Sequence, residues 1–269
     1  MLLQDKTAVV YGAAGHIGGA VARAFAADGA RVFLAGRTLE KVRRLTTEIN
    51  AAGGRAEAAE VDALNKQAVE DHLGAVVEMA GAVDISFNAI GIRGDLQGTP
   101  LVEMTLEDFT LPVEIGIKTH FLTATAAARH MAKKGSGVIL TLSSTAAGLS
   151  GRDRVFHRAG GFATACTAIE ALSRTLAGEL GPQGIRVVCL RSDAIPETWP
   201  PEFPDHPVET KIYEQAAETK IYMEKGTALG RLPKLREIAD AAVLMASDRA
   251  SAMTGTIANL TCGSIMDLN

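Results

Sequence analysis

The sequence predicts an α/β fold in a single domain: a doubly wound parallel sheet of about seven strands with helices on both faces. Short apolar runs alternate with amphipathic stretches in which apolar residues recur at three- and four-residue intervals, as in Val42, Leu45 and Ile49. Strands that alternate with helices favour parallel pairing, with the helices as crossover connections. The first apolar run, Lys6–Tyr11, ends in a glycine-rich loop, which is typical of the first turn of a doubly wound sheet.

Strands and helices are predicted in alternation from residue 7 to residue 260. The predicted strands are Thr7–Tyr11, Arg31–Ala35, Ala56–Val61, Val83–Asn88, Gly137–Leu142, Arg186–Leu190 and Thr256–Leu260. The predicted helices cover residues 16–28, 39–52, 65–80, 106–133, 161–181 and 235–247. Because parallel strands end at the same edge of a sheet, a ligand site is expected beyond their carboxyl ends.

The glycine-rich loop, Gly12-Ala-Ala-Gly15-His-Ile-Gly18, lies between the first strand and the first helix. Glycines allow the backbone to turn tightly and approach a pyrophosphate, and a helix N-terminus offers free N–H groups and a partial positive charge. This context predicts a Rossmann fold with a phosphate-binding loop. The predicted contacts are Gly12, Gly15, His16, Ile17 and Gly18, with the His16 side chain either on a phosphate or in solvent.

The composition disfavours several classes of function. The 269 residues are 47% hydrophobic, which suits one large domain with a sizeable core. A net charge of −4 favours neither nucleic acid nor an anionic membrane, and no apolar run is long enough for a transmembrane helix. The first strand begins close to the start of the sequence, so we expect no signal peptide and a cytoplasmic location. Cys166, Cys189 and Cys262 are too widely spaced to predict a disulfide framework or a metal site.

Residues 196–233 interrupt the alternation of strands and helices. They contain most of the prolines and the only tryptophan, Trp199, and the sequence Glu-Thr-Lys-Ile-Tyr occurs in them at 209–213 and again at 218–222. A surface helix with a local duplication would explain this segment. A lid over a substrate pocket would explain it too, since long insertions in compact domains are often functional. We interpret the segment as an inserted lid within the single domain 1–269.

Ordered matches over nearly the whole chain resemble the short-chain dehydrogenase/reductase family. The matching segments are Gly12–Gly18, Val61–Asp62, Asp84–Gly91, Val138–Ser144, Ala168–Leu180, Gly184–Val187, Gly230–Pro233, Glu237–Ala239, Ala246–Asp248 and Thr254–Gly255. The resemblance implies hydride transfer between a nicotinamide nucleotide and a small-molecule carbonyl or alcohol. It also implies Asp62, Asn88, Ala89 and Gly91 as cofactor contacts.

The end of the second predicted strand bears on the choice between NAD(H) and NADP(H). A carboxylate there would bind the adenosine ribose hydroxyls and repel a 2′-phosphate, but the position holds Gly36, followed by Arg37. A guanidinium can hold the 2′-phosphate through a charge-assisted contact. We therefore predict NADP(H) rather than NAD(H), with Arg37 as its contact, while a solvated arginine in a turn stays the alternative.

By resemblance, catalysis needs a serine, a tyrosine, a lysine four residues after the tyrosine, and an asparagine. Counting back along the matching helix places Phe162 at the tyrosine position and Cys166 at the lysine position, and Gly116 occupies the asparagine position. The serine is Ser144 or its neighbour Ser143. The tyrosines of the chain are elsewhere, at positions 11, 213 and 222. Cys166 has neither a base nor a cation beside it in sequence, so we expect a packed thiol rather than a nucleophile.

The loop after Ser144 is longer than the resemblance implies. It adds polar side chains: Arg152, Asp153, Arg154, His157 and Arg158. Counting forward from Ser144 places His157 near the usual tyrosine distance, and a histidine can act as a general acid near neutral pH. A polar surface loop, and arginines that bind an acidic or phosphorylated substrate, are the alternatives.

The expected nicotinamide half of the site differs from the family more than the adenosine half does. Ser192-Asp193 stands where the family usually has Pro-Gly. Three functions stay open: a divergent NADP(H)-dependent oxidoreductase that takes its proton from Ser144, His157 or water, a non-redox enzyme on the same scaffold, and a catalytically silent NADP(H)-binding protein. We favour the first.

The resemblance also implies how copies of the chain associate. Family members commonly pair through the helices that match 106–133 and 161–181 and through the last strand. We therefore predict a homotetramer or a homodimer that binds a small-molecule substrate, with neither nucleic acid nor membrane as a partner.

Overall fold

The computed structural model describes residues 1–94, 97–149, 158–199 and 216–266. Within these residues, seven strands form one parallel sheet. They are β1 Thr7–Tyr11, β2 Arg31–Gly36, β3 Arg55–Glu60, β4 Ile85–Asn88, β5 Gly137–Ser144, β6 Ile185–Ser192 and β7 Thr256–Leu260. Their order across the sheet is β3-β2-β1-β4-β5-β6-β7.

Helices connect the strands and cover both faces of the sheet. The α-helices of the described residues are α1 His16–Ala27, α2 Leu39–Ala51, α3 Lys66–Ala80, α4 Leu106–Lys134, α5 Ala146–Leu149, α6 Gly160–Leu180, α7 Ala216–Lys225 and α8 Leu235–Ala246. Short 3₁₀ turns occur at Leu101–Glu103, Gly181–Gln183, Pro196–Thr198 and Asp248–Ala250. None of the helices in the described ranges is long and apolar enough to cross a bilayer.

The core consists of two layers, one on each face of the sheet. Val10 and Leu34 pack with α1, α2 and α8, whereas Val9 and Phe33 pack with α3, α4 and α6. Successive strand residues face opposite sides, so a strand covered on both faces reads as a continuous apolar run. This double burial explains why the central strands are visible in the sequence as apolar runs without alternation.

The predicted fold class is confirmed, and the predicted strand and helix boundaries lie within two residues of the observed ones. Strands β5 and β6 run past the ends that hydropathy predicts. Their polar ends continue the ladder, with Ser143 opposite Arg191 and Ser144 opposite Ser192. The single turn α5, directly after β5, was not predicted. These extensions matter because they carry polar side chains to the carboxyl edge of the sheet.

The strand order reverses at β1, which pairs with β2 on one side and with β4 on the other. The loop after β1 leans toward β2, since the N–H of Ala13 donates to the carbonyl of Ala35 at 3.2 Å. The loop after β4 begins with the N–H of Ala89 donating to the carbonyl of Tyr11 at 3.0 Å. In doubly wound sheets, ligands bind in the crevice that opens at this reversal.

Candidate functional site

A cavity of about 1060 Å³ lies at the carboxyl edge of the sheet. The loops after β1 to β6 all contribute to it, because parallel strands end at the same edge. Its wall runs from Arg37 and Asp62 at one end, past Gly12 at the crevice, to Ser144 and Asp193 at the other end. A cavity of this size is at the upper end of the range for small-molecule sites, which suits a dinucleotide with a small substrate.

Gly12 and Gly18 determine the shape of the loop between β1 and α1. Gly12 has a φ of +73°, a conformation that favours glycine. A Cβ at Gly12 would lie 2.6 Å from the carbonyl oxygen of Ala89, and a Cβ at Gly18 would overlap the carbonyl of Gly12. A side chain at either position would therefore displace the backbone that forms the floor of the crevice.

The start of α1 faces the cavity with its unpaired backbone amides. Gly15 is the N-cap residue of α1, and Gly15, His16 and Ile17 line the cavity, whereas Gly18 is buried behind them. Among the described residues, none accepts a hydrogen bond from the backbone amides of His16, Ile17 and Gly18, as is usual in the first turn of a helix. The loop thus fits the pyrophosphate of a nucleotide, which such amides and the positive end of the helix dipole can bind.

The end of the cavity beside β2 is positively charged. Arg37 and Lys41 line it, and Arg37 is exposed and forms no ion pair with any described residue. Gly36, the last residue of β2, contributes no carboxylate. Asp62 follows β3 on the same wall, and its Oδ1 accepts the N–H of Leu64 at 3.0 Å. This end of the cavity therefore carries a net positive charge, two cations against one carboxylate.

Asn88 supports the crevice from behind and does not line the cavity. The side chain is buried: its Nδ2 donates to Oγ1 of Thr123 at 3.0 Å, and its Oδ1 accepts the N–H of Ile90 at 3.0 Å. These bonds fix the loop after β4 to helix α4. Ala89 and Gly91, which follow in the chain, do line the cavity.

Strand β5 ends in two serines, whose hydroxyls differ in exposure and in hydrogen bonding. Ser143 is buried, and its Oγ donates to Oε1 of Glu170 at 2.8 Å. Ser144 is partly exposed, and its Oγ accepts the N–H of Ala146 at 3.4 Å. The Ser144 hydroxyl donates no hydrogen bond to a described residue. Although both serines border the cavity, Ser144 is the one whose proton is uncommitted.

Glu170 and Arg191 form a buried ion pair behind these serines. Nε of Arg191 donates to Oε1 of Glu170 at 2.8 Å, and a terminal N–H of Arg191 donates to Oε2 at 2.7 Å. The side chains are only 8% and 6% exposed for Arg191 and Glu170, respectively. Sequence analysis missed this pair. The sequence feature that could have predicted it is an acidic residue within the apolar stripe of α6 together with a basic residue within the apolar run of β6.

Phe162 and Cys166, one turn apart on α6, both border the cavity. Phe162 is partly exposed, whereas Cys166 is buried. Burial raises the pKa of the Cys166 thiol to about 12. A thiol with this pKa stays protonated near neutral pH, so the arrangement agrees with a packed side chain and not with a nucleophilic thiolate.

Gly116 on α4 lies between the loop after β4 and helix α6. A Cβ at Gly116 would lie 3.2 Å from Cδ1 of Ile92 and 3.4 Å from Cβ of Ala165 and from Cδ1 of Ile169. An asparagine at this position would therefore need its neighbours to move. The side chain of Ile92 takes up the space beside the glycine.

Asp193 follows β6 at the same end of the cavity as Ser144. It is 6% exposed, and its Oδ1 accepts two hydrogen bonds, from the hydroxyl of Thr145 at 3.2 Å and from the N–H of Ala194 at 2.7 Å. Asp193 forms no ion pair with a basic residue in the described part of the chain. The position that sequence analysis marked only as a departure from Pro-Gly thus holds a negatively charged group on the cavity wall.

His157, the alternative proton donor, lies with residues 150–156 outside the described residues. Arg158 is exposed, and its carbonyl accepts the N–H of Gly98 at 2.6 Å. The role of His157 therefore stays a prediction.

Sequence analysis also missed the apolar side of the cavity. This side is lined by Ile92, Ile115, Leu149, Trp199 and Met223. These residues come from separate segments of the chain, so no local pattern groups them. Trp199 and Met223 belong to the segment 196–233, which therefore contributes to the cavity wall. In the described ranges, no group of histidine, cysteine and acidic side chains could hold a metal ion.

The strand order, the glycine loop at the reversal and the cavity across the strand ends define an α/β protein with a Rossmann-type nucleotide site. A family model described as "Enoyl-(Acyl carrier protein) reductase" matches residues 12–264. The chain belongs to the short-chain dehydrogenase/reductase family, a family of oxidoreductases that use nicotinamide nucleotides.

Relatives match over nearly their whole length. The "Short-chain reductase protein NovJ" of Streptomyces niveus is 31% identical over 265 residues, which cover 97% of this chain and 94% of the relative. The 7alpha-hydroxysteroid dehydrogenase of Escherichia coli is 28% identical over 272 residues, which cover 99% of this chain and 97% of that protein. Each match therefore spans nearly all of this chain and nearly all of the relative.

Solved structures agree with this assignment. A short-chain type dehydrogenase/reductase from Mycobacterium marinum is 28% identical with a TM-score of 0.82, and the match covers 98% of this chain and 97% of that one. A gluconate 5-dehydrogenase from Burkholderia cenocepacia, solved in complex with NADP and tartrate, is 23% identical with a TM-score of 0.83 and coverages of 97% and 96%. The second likeness, at this identity, concerns the fold alone.

Proposed function

We propose that the chain is an NADP(H)-binding oxidoreductase that transfers hydride to a small carbonyl compound or an activated double bond, with a non-standard proton donor. The observation that carries the proposal is the cavity itself, whose glycine loop has the features of a phosphate-binding loop. In this site, Gly15, His16 and Ile17 would hold the pyrophosphate through their amides. The nucleotide, when bound, would supply the hydride.

The charge at the β2 end of the cavity supports NADP(H) over NAD(H). Arg37 and Lys41 line this end, and Gly36 provides no carboxylate to repel a 2′-phosphate. A guanidinium without an ion-pair partner among the described residues can bind a phosphate through charge-assisted hydrogen bonds. Asp62, on the adjacent loop, would contact the adenine. Both assignments rest on the positions of these side chains in the cavity wall.

The proton donor is proposed from the uncommitted polar groups at the other end of the cavity. Ser144 carries a hydroxyl that donates to no described residue, and water or His157 are the further candidates. Phe162 borders the cavity with a ring that has no proton to give. Substrates with an acidic group of their own, or with an activated C=C or C=N bond, need less help from a protein acid.

A second candidate is a catalytically silent protein that binds NADP(H) and regulates a partner. The observation in its favour is that Phe162 and Cys166 lie together on the cavity wall without an ionisable group suited to proton transfer. In such a protein the nucleotide half of the site would be kept while turnover is lost. Fold alone does not decide between the two candidates.

The deciding experiment measures NADPH oxidation at 340 nm over a panel of ketones, aldehydes, α,β-unsaturated carbonyl compounds and imines. The oxidoreductase proposal expects turnover with at least one activated substrate and a loss of about 100-fold in Ser144→Ala. Tight NADPH binding without turnover across the panel supports the silent candidate. Turnover of a substrate that is unaffected by removal of nucleotide contradicts both and supports a non-redox enzyme on the same scaffold.

We also propose that residues 196–233 act as a lid on the substrate side of the cavity. The support is that Trp199 and Met223, from the two described ends of this segment, line the cavity. If the lid contacts substrate, Trp199→Ala should raise KM for the best substrate by about tenfold while the Kd for NADPH changes little. An unchanged KM would refute the role.

For the assembly we propose a homotetramer or homodimer built through α4, α6 and β7. On α4, Phe121 is 49% exposed, which leaves a large aromatic side chain available for a contact. Of the small residues on α6, Ala171 is exposed, whereas Ala163 and Ala165 pack inside the chain. Sedimentation at micromolar concentration should show a dimer or tetramer, and Phe121→Glu should shift it toward monomer. A wild-type monomer would refute the proposal.

A further inference from the structure

Asp193 is a charged group of the cavity wall that the proposed hydride-transfer chemistry does not use. It lies on the cavity wall with Ser144 and Thr145, at the opposite end from Arg37. A carboxylate this buried is costly unless it is paired or hydrogen-bonded. Its two hydrogen bonds, from Thr145 and from the N–H of Ala194, both end on Oδ1. The bonds hold the carboxylate in place, but they do not neutralise its charge.

The basic residue nearest to Asp193 in sequence is bound to another carboxylate. Arg191, two residues earlier, makes bidentate hydrogen bonds to Glu170. Among the described residues, no ion pair reaches Asp193. Asp193 is therefore a carboxylate without an ion-pair partner among the described residues, on a cavity wall to which the loop after β4 adds Arg93, whereas the end beside β2 carries Arg37 and Lys41 against the single carboxylate of Asp62. A dinucleotide bound by its phosphates at Arg37 and at the glycine loop would place its third part, the nicotinamide, toward the end of the cavity that Asp193 lines.

The two redox states of a nicotinamide nucleotide differ by one charge on the ring. The oxidised ring is a cation, and the reduced ring is neutral. We propose that Asp193 sets the preference of this site between them by stabilising the oxidised nucleotide relative to the reduced one. The inference rests on the proposed function, since it takes nucleotide binding in this cavity as given. A fixed charge in a water-poor site acts more strongly than the same charge in water.

This preference has a consequence for the direction of the reaction. A ligand stabilises the state that it binds more tightly, so tighter binding of NADP⁺ lowers the reduction potential of the bound couple. The site would then favour hydride donation from bound NADPH and would retain NADP⁺ after turnover. Release of the oxidised nucleotide becomes a candidate for the slow step.

The test is calorimetry with three ligands: NADP⁺, NADPH and 2′-phospho-ADP-ribose, which has the phosphates but no nicotinamide. Asp193→Asn keeps the acceptor oxygen for Thr145 and Ala194 and removes the charge. We expect wild type to bind NADP⁺ at least as tightly as NADPH. In Asp193→Asn, NADP⁺ should bind about tenfold more weakly, while NADPH and 2′-phospho-ADP-ribose change by less than about twofold.

Asp240→Asn is the matched control, because Asp240 is exposed on α8, does not line the cavity, and loses the same unit of charge. It should leave all three Kd values unchanged. An Asp193→Asn variant in which NADP⁺ and NADPH weaken by the same factor, or not at all, overturns the inference. If that variant does not fold, wild type decides: a preference for NADPH of more than about tenfold overturns it.

Failure of the proposed function gives a different result. If wild type binds none of the three ligands, nucleotide binding itself is refuted. If it binds 2′-phospho-ADP-ribose but neither dinucleotide, the adenosine half of the site stands and the inference about Asp193 falls. If NAD⁺ and NADH bind in place of their phosphorylated forms, the choice of cofactor is wrong, and the Asp193→Asn comparison is made with that pair.

Discussion

Oγ of Ser143 donates a 2.8 Å hydrogen bond to Oε1 of Glu170, so the first of the two serines that end β5 is held by a buried carboxylate. The same carboxylate receives two hydrogen bonds from Arg191. Ser144 is left with a hydroxyl that a ligand in the cavity can reach. This difference between neighbouring serines is the reason why we propose Ser144, and not Ser143, for the role that the family assigns to a serine.

The first prediction concerns the buried pair. Glu170→Gln removes one charge of this buried, hydrogen-bonded ion pair, which should cost about 3 kcal/mol or more of the free energy of unfolding. Urea denaturation measures the loss. Glu179→Gln, on the exposed side of the same helix, is the control and should have little effect. A loss below about 1 kcal/mol in Glu170→Gln would mean that the pair is not structural.

The second prediction concerns pH. Burial lowers the pKa of His72 from 6.5 to about 4, and neither ring nitrogen bonds a described residue. The unfolded chain therefore takes up a proton near pH 6.5 that the folded chain accepts only near pH 4. The contribution of His72 to the free energy of unfolding is therefore fully present above pH 6.5. It is lost as the pH falls toward 4, by about 1.4 kcal/mol per pH unit.

The substitution that tests this is His72→Phe, which keeps a ring against Tyr11; the centroids of Tyr11 and His72 are now 5.9 Å apart. His120, whose pKa burial also lowers to about 4, contributes a similar slope and stays in place. The variant should lose free energy of unfolding less steeply than wild type between pH 6.5 and pH 4. Above pH 7 the two curves should be parallel. If the free energy of unfolding falls equally steeply in wild type and variant below pH 6.5, His72 is protonated in the folded protein.

The third prediction tests the cofactor. Arg37→Gln removes the guanidinium proposed to hold the 2′-phosphate, so the Kd for NADPH should rise about 30-fold, while the Kd for NADH changes by less than about twofold. Calorimetry with both nucleotides measures this. Arg43→Gln is the matched control, since Arg43 is exposed on the same helix α2 as Lys41 but does not line the cavity. Equal effects on NADPH and NADH would contradict a phosphate contact.

The fourth prediction tests the proton supply. If this chain lacks only the proton relay of the family, Phe162→Tyr with Cys166→Lys should raise NADPH-dependent carbonyl reduction by at least about 100-fold. This factor is the usual contribution of a general acid. Phe162→Leu with Cys166→Lys lacks the phenol and is the control. A double variant that folds and binds NADPH but reduces nothing would show that the cavity differs from the family in more than these two side chains.

The fold was predictable because its signals are local. Apolar runs buried on both faces, helical periodicity and a glycine loop at the end of β1 can each be read within a few residues. The predicted loop contacts Gly12, Gly15, His16 and Ile17 do line the cavity, together with Arg37 and Asp62. Their places follow from strand ends alone, since parallel strands bring their carboxyl ends to one edge.

The rest of the site depends on contacts between distant parts of the chain. Asn88 is the last residue of β4, yet its side chain bonds Thr123 on α4. Its place at a strand end alone could not predict that it supports the crevice from behind. The pairing of Glu170 with Arg191 joins a helix to a strand. The hydrogen bonds that fix the Asp193 carboxylate need the register of β5 against β6. Apolar patterns do not encode such pairings.

One measurement tests the central claim that the cavity is an NADP(H) site. Trp199, the only tryptophan, lies in the cavity wall, so a bound reduced nicotinamide should quench its fluorescence by energy transfer. Titration with NADPH and with NADH, checked by calorimetry, should give a micromolar Kd for NADPH that is at least about tenfold lower than that for NADH. Binding of neither nucleotide at millimolar concentration would contradict the account, because the glycine loop and Arg37 would then serve no cofactor.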